Sequence, residues 1–117
     1  MANEDQFEGG KIAVALRTGR TAIGWSQLEF AEKLGVAKST VARIETLEMS
    51  PKADLVTRAM RLFREAGLEM DLYHPSDLSI NISGSVITEA IARLKDDSKR
   101  RSDRTGIRGL LPPDSQA

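Results

Sequence analysis

Residues 25–45, WSQLEFAEKLGVAKSTVARIE, decide the fold. Ser26 offers a side-chain oxygen as an N-cap, and Glu29 stands three residues on, the spacing of a capping box. Phe30, Ala31 and Leu34 then share one helical face. Gly35 supplies the positive φ of a sharp turn. A second short helix is expected from about Lys38 to Thr46, burying Val41 and Ile44 at i, i+3. Two such helices can cross steeply only if a small residue sits where they touch, and Ala31 is that residue. Phe30, Leu34, Val36, Val41 and Ile44 close the core between them. The outward side of the second helix is Lys38, Ser39, Thr40, Ala42 and Arg43. It holds no acid, and its cations and short hydroxyls are groups that bond phosphates and base edges.

Working outward, Ile12, Leu16 and Ile23, with alanines between, fit a helix over about 11–23 that Gly24 ends. Ser50-Pro51 marks a loop and a new helix start. Leu55, Val56, Ala59, Met60, Leu62, Phe63 and Ala66 keep helical spacing up to Gly67. The period then changes to two. Residues 68–73 and 78–83 alternate apolar and polar, and His74-Pro75-Ser76-Asp77 is turn chemistry, so a β-hairpin is expected. A last amphipathic helix carries Val86, Ile87, Ala90, Ile91 and Leu94 on one stripe. A lone hairpin is marginal in water, so its apolar faces need a cover. The last helix and a second subunit would supply it.

The chain divides accordingly. Residues 1–9, with three acids, are expected to be disordered. Residues 10–67 are expected to form a helical unit suited to binding DNA, 68–95 a hairpin-plus-helix dimerisation region, and 96–117 a flexible polar tail. The fold class is mainly α: a bundle of four to five helices followed by a β-hairpin and helix.

Composition narrows the function. Among 117 residues, 17 Lys+Arg balance 17 Asp+Glu, and there is no cysteine. Disulfides, thiolate metal sites and cysteine nucleophiles are excluded. A lone histidine, His74, leaves no histidine cluster for a metal, and no cofactor is implied. No apolar run reaches the ~20 residues that span a bilayer, and the acidic N-terminus is unlike a secretory signal, so a cytoplasmic address is expected. The zero net charge hides an asymmetry. Between Lys11 and Arg64 ten Lys/Arg oppose five acids, a local +5. Such a module attracts a phosphate backbone through counterion release. An enzyme is the least expected class, because no nucleophile–base pair and no phosphate-binding glycine loop is evident.

The motifs WSQLEFAEKLGV, KSTVARIE and SPKADLVTRAMRLF, spread over residues 11–66, resemble the Xre/phage-repressor (lambda-repressor-like) helix-turn-helix family. The resemblance implies a bundle whose third helix enters the major groove of double-stranded DNA. Carried over by position, it implies that Gln27 contacts the DNA backbone and braces the recognition helix. Lys38 and Ser39 would approach base edges, Thr40 a phosphate, and Arg43 a base or phosphate farther along the groove. Glu45 matches a structural position. Two departures stand out: Gly19 occupies a position where the family commonly has a larger apolar residue, and ETLEMS replaces the usual polar loop after the recognition helix. REAGLEMDLY further resembles the pairing strand of dimeric antitoxins in this superfamily. The expected function is therefore a homodimeric transcriptional repressor on an inverted-repeat, palindromic operator. The alternatives are an antitoxin that represses its own operon and neutralises a toxin, or an anti-activator that binds a regulator protein.

Overall fold

In a computed structural model, residues 4–102 are described, with side chains over 6–96. The elements run α1 (Glu4–Ile23), α2 (Gln27–Leu34), α3 (Lys38–Glu45), α4 (Ala53–Ala66), β1 (Leu68–Asp71), β2 (Ser79–Ile82) and α5 (Gly84–Ser102). The architecture is mainly helical with one two-stranded antiparallel hairpin.

Two boundaries differ from expectation. The start was expected to be disordered through residue 9, yet α1 begins at Glu4. Glycines 9 and 10 weaken this turn, but Lys11 secures it. Its ammonium, almost wholly buried, pairs with Glu8 at 3.2 Å, donates to the His74 carbonyl at 2.8 Å and lies over the Phe7 ring. The polar tail was expected from residue 96, yet α5 continues to Ser102. No glycine or proline interrupts the chain between Gly84 and Gly106, so nothing breaks the helix at the polarity change. The rest of the expected tail, 103–117, lies outside the described residues, as do residues 1–3.

The core joins all four N-terminal helices and β1: Leu16, Phe30, Ala31, Leu34, Val41, Ile44, Leu55, Ala59, Phe63 and Leu68 are buried together. Trp25, Phe30 and Phe63 stack with interplanar angles near 20° and centroids 5.3–6.1 Å apart, an offset geometry that aromatic rings favour. Trp25 is thus a structural residue, capped on its other side by the Lys33 ammonium at 5.2 Å.

Gly19 answers its departure from the family pattern. A Cβ built there would lie 2.5 Å from Met70 Cε and 2.7 Å from Phe63 Cζ. Phe63 of α4 and Met70 of β1 occupy the space that a side chain at position 19 would enter, so α1 packs against both through the missing Cβ.

The hairpin is shorter than its alternation predicts. Asp71 Oδ1 accepts the Tyr73 amide at 2.9 Å, a local turn that ends β1. The register pairs Leu68 with Ile82 and Met70 with Ile80. The expected stripe on α5 is divided. Val86 is buried, Ala90 is half-buried, and Arg93 donates to the Ala22 carbonyl at 2.9 Å over Gly24. Ile87, Ile91 and Leu94, about a quarter-turn around the helix, remain exposed.

Gly19→Leu is expected to lower unfolding free energy by about 1–3 kcal/mol through overpacking against Phe63 and Met70. Urea titration checks this, and an unchanged midpoint would refute the close-packing account.

Candidate nucleic-acid interface

The recognition unit is built from local chemistry. Ser26 Oγ accepts the Glu29 amide at 3.0 Å, and Glu29 Oε1 accepts the Ser26 amide at 2.9 Å. Both halves of the expected capping box are present. The Glu29 carboxyl is held below its ordinary pKa, chiefly by that Ser26 backbone N–H. The carboxylate half of this cap therefore contributes fully above the ordinary glutamate range and weakens as pH falls through the depressed value, while the Ser26 Oγ half does not titrate. At the other end of α2, Gly35 takes φ 77°. The Val36 amide then reaches back to the Ala31 carbonyl at 3.0 Å, a Schellman-type closure. Arg58 of α4 also donates to the Leu34 carbonyl, so an exposed C-terminus of α2 is capped by another helix.

α3 has no such N-cap. Ala37 precedes it, and no side chain closes its first turn. Its leading amides and the positive end of its dipole are therefore open toward the same surface as Lys38 and Ser39.

A buried polar cluster holds α3 in place. Arg20 of α1 donates through Nε to Glu45 Oε2 at 2.7 Å and through Nη2 to Glu45 Oε1 at 3.0 Å. Its Nη1 donates to the Trp25 carbonyl at 2.9 Å. Gln27 Nε2 donates to Glu45 Oε1 at 3.1 Å. The Glu45 side chain is 3% exposed and that of Arg20 15%. A bidentate fork of this kind fixes angle as well as distance. It joins α1, the start of α2 and the end of α3.

The structure brings the anticipated side chains to one face. Lys38, Ser39 and Arg43 are exposed, and Thr40 is half-buried. Among the described residues, none of the four uses its side chain in an internal hydrogen bond or ion pair. Gln27 is half-buried, with one amide hydrogen committed to Glu45 at the end of α3 and the other without a partner among the described residues. Val41 and Ile44 anchor the opposite side of α3 in the core.

Several features escaped sequence reasoning. Of the ten cations counted between Lys11 and Arg64, Lys11 and Arg20 are buried in ion pairs; Glu45, the partner of Arg20, is already among the five acids, so only the pairing of Lys11 with Glu8 lowers the local +5, to +4. No short spacing signals the Arg20–Glu45 pair, which is 25 residues apart. The loop after α3 carries Leu47 at φ 67°, exposed. Glu48 follows, bound to Thr46 Oγ1 at 2.8 Å, and places an acid just beyond the acid-free face. His74 lies away from this face, in the hairpin turn, where its ring nitrogen accepts the Ser76 amide.

Compared with known families, residues 16–66 match the helix-turn-helix model. No curated protein and no solved structure matches the chain. Among the described residues, no helix is long and apolar enough to cross a membrane.

Glu45→Gln is expected to cost about 3 kcal/mol of stability, since Arg20 then faces an amide that cannot accept its fork. The urea midpoint should fall with little change of slope. A loss below about 0.5 kcal/mol, the level of an exposed pair, would remove the cluster from its bracing role.

Proposed function

Residues 16–66 belong to the Xre/lambda-repressor-like helix-turn-helix family, a family of DNA-binding regulators, and from that premise we propose that this chain is a homodimeric, sequence-specific transcriptional repressor. α3 lies in the major groove of double-stranded DNA. Lys38 and Ser39 read base edges, Thr40 binds a phosphate, and Arg43 reaches a base or phosphate farther along the groove. Gln27 donates its open N–H to the backbone while Glu45 holds the other. One observation carries this reading: the acid-free face of α3 has no internal partners, and the buried Arg20–Glu45–Gln27 cluster fixes its tilt. A surface left unsatisfied on a rigid support is prepared for an external ligand.

An eight-residue helix touches only a few base pairs, which leaves too little discrimination for a genome. Two copies related by a two-fold axis double the contact. The operator is then an inverted repeat with half-sites about 10 bp apart, or a multiple of that. Occupying such a site within a promoter excludes polymerase, which is the basis for the repressor assignment.

Retardation of the fragment upstream of its own gene should weaken steeply as salt rises. Ser39→Ala and Arg43→Ala are each expected to cost about 1–3 kcal/mol of specific binding. Lys38→Ala should also reduce affinity. If all three variants bind as the parent does, α3 is not the recognition helix. A promoter–reporter fusion that rises on deletion of the gene supports repression; one that falls makes the protein an activator.

A further inference from the structure

The C-terminal unit carries two uncovered features side by side. The first is an edge strand. β1 packs on α4, whereas β2 has β1 as its main neighbour and leaves its other edge open. The Ser83 amide donates to the Gly67 carbonyl at 2.9 Å. In an antiparallel ladder, bonded pairs alternate, so the bonded pairs continue as Glu69–Asn81 and Asp71–Ser79. The N–H and C=O groups of Ile80 and Ile82 therefore point away from β1. Natural edges are blunted with charge, proline or a bulge. Residues 78–83, Leu-Ser-Ile-Asn-Ile-Ser, contain no charge and no proline.

The second feature is the outer half of α5. Ile87, Ile91 and Leu94 are 47%, 49% and 63% exposed, and Ile82, the last residue of β2, is 37% exposed. Their spacing of four and then three residues is that of a helix-pairing seam. Together they expose on the order of a few hundred Å² of apolar surface, the size of a functional patch. That area matches the apolar centre of a standard interface, which buries about 800 Å² per partner, with the strand edge and polar surroundings supplying the rest.

We propose that β2 pairs antiparallel with β2 of a second copy of this chain, making a four-stranded sheet in which the two α5 seams close over the same two-fold axis. This rests on the reading of the chain as a paired DNA-binding protein and specifies where the pair is joined. Self-pairing is favoured over a foreign strand because the edge is self-complementary. With Asn81 opposite Asn81 of the second copy, Ile80 bonds Ile82 of its partner in both directions, and all four bonds fall within the strand. Shifting the register by two residues loses half of them from the strand. Because only Ser83 separates β2 from α5, a two-fold at Asn81 also brings the two seams together. Arg93, bonded to the end of α1 just before the recognition unit, then transmits the dimer geometry to the spacing between the two α3 helices.

The test uses the full chain, which has no cysteine of its own. Opposite residues of a non-bonded antiparallel pair stand about 4.5 Å apart at Cα, within the span of a disulfide. Asn81→Cys should therefore convert to covalent dimer under mild oxidation. Glu69→Cys, on the same sheet face but one strand farther from the axis, should remain a single chain in denaturing gels. By light scattering, the parent should have the mass of two chains. Ile87→Glu/Ile91→Glu should have the mass of one, with unchanged helicity, retained weak binding to a single half-site and loss of cooperative binding to the inverted repeat. Val14→Glu, on a separate exposed face of α1, should stay paired. A monomeric parent, a dimer that survives Ile87→Glu/Ile91→Glu, dissociation by Val14→Glu instead, or a stoichiometric foreign protein on a monomeric chain each overturns the proposal. A cross-linked dimer that retards no DNA preserves this interface and removes the repressor reading instead.

Discussion

The fork between Arg20 and Glu45 is the constraint on which the rest of the recognition unit depends. α3 is only eight residues long and starts without a cap, and short isolated helices are marginal in water. Its stability must come from tertiary contact. Val41 and Ile44 supply burial but little directional control, because apolar contact is not directional. The carboxylate of Glu45, held by two guanidinium bonds and one amide bond, ties the end of α3 to α1 and to the start of α2 and so fixes its tilt. With Val41 and Ile44 turned inward, Lys38, Ser39 and Arg43 face outward at that tilt. The fork is directional where the apolar contacts are not, and removing either partner would leave the other charge buried and unpaired.

Around this fork the packing is economical. Five aromatic residues serve the whole chain, and three of them form a single stack through the centre of the bundle. Gly19 lets Phe63 and Met70 approach α1 directly. Gly67 does the same at the C-cap of α4, close to Phe63: at φ 103°, a Cβ there would meet Ser83 Oγ at 2.5 Å. These two close approaches tie the C-terminal hairpin to the helical bundle. Lys11 adds a third tie by reaching the His74 carbonyl in the hairpin turn. The recognition unit and the C-terminal unit therefore share one core, and Leu68 is a member of it. Arg93 of α5 is bonded to the end of α1, and Arg20 of α1 is bonded to Glu45 of α3.

Much of this was legible because it is local. The Ser26–Glu29 cap, the Gly24, Gly35 and Gly67 stops, and the switch from helical to strand period each depend on residues within a few positions of one another. Short-range geometry is set by φ/ψ restrictions and neighbouring hydrogen bonds, which sequence spacing reports directly. The exposure of Lys38, Ser39 and Arg43 followed from the same reasoning, once Val41 and Ile44 were assigned inward. Illegible features had one cause in common: their partners are distant in the chain. Nothing near Arg20 announces Glu45, and nothing near Gly19 announces Phe63. The helical starts at Glu4 and the continuation to Ser102 were hidden because polar composition was read as disorder, although the residues concerned tolerate a helix that tertiary contacts have already nucleated.

By itself, then, the sequence determined the element types, the two-helix unit at residues 26–45 and the absence of acid on the outward side of its second helix, since these follow from propensity, capping and periodicity. Only the tertiary structure decided which cations are spent internally, which half of the α5 stripe is covered, and how α3 is turned. Those outcomes depend on which surfaces meet, and a periodic pattern specifies that a face must be buried without naming what will bury it.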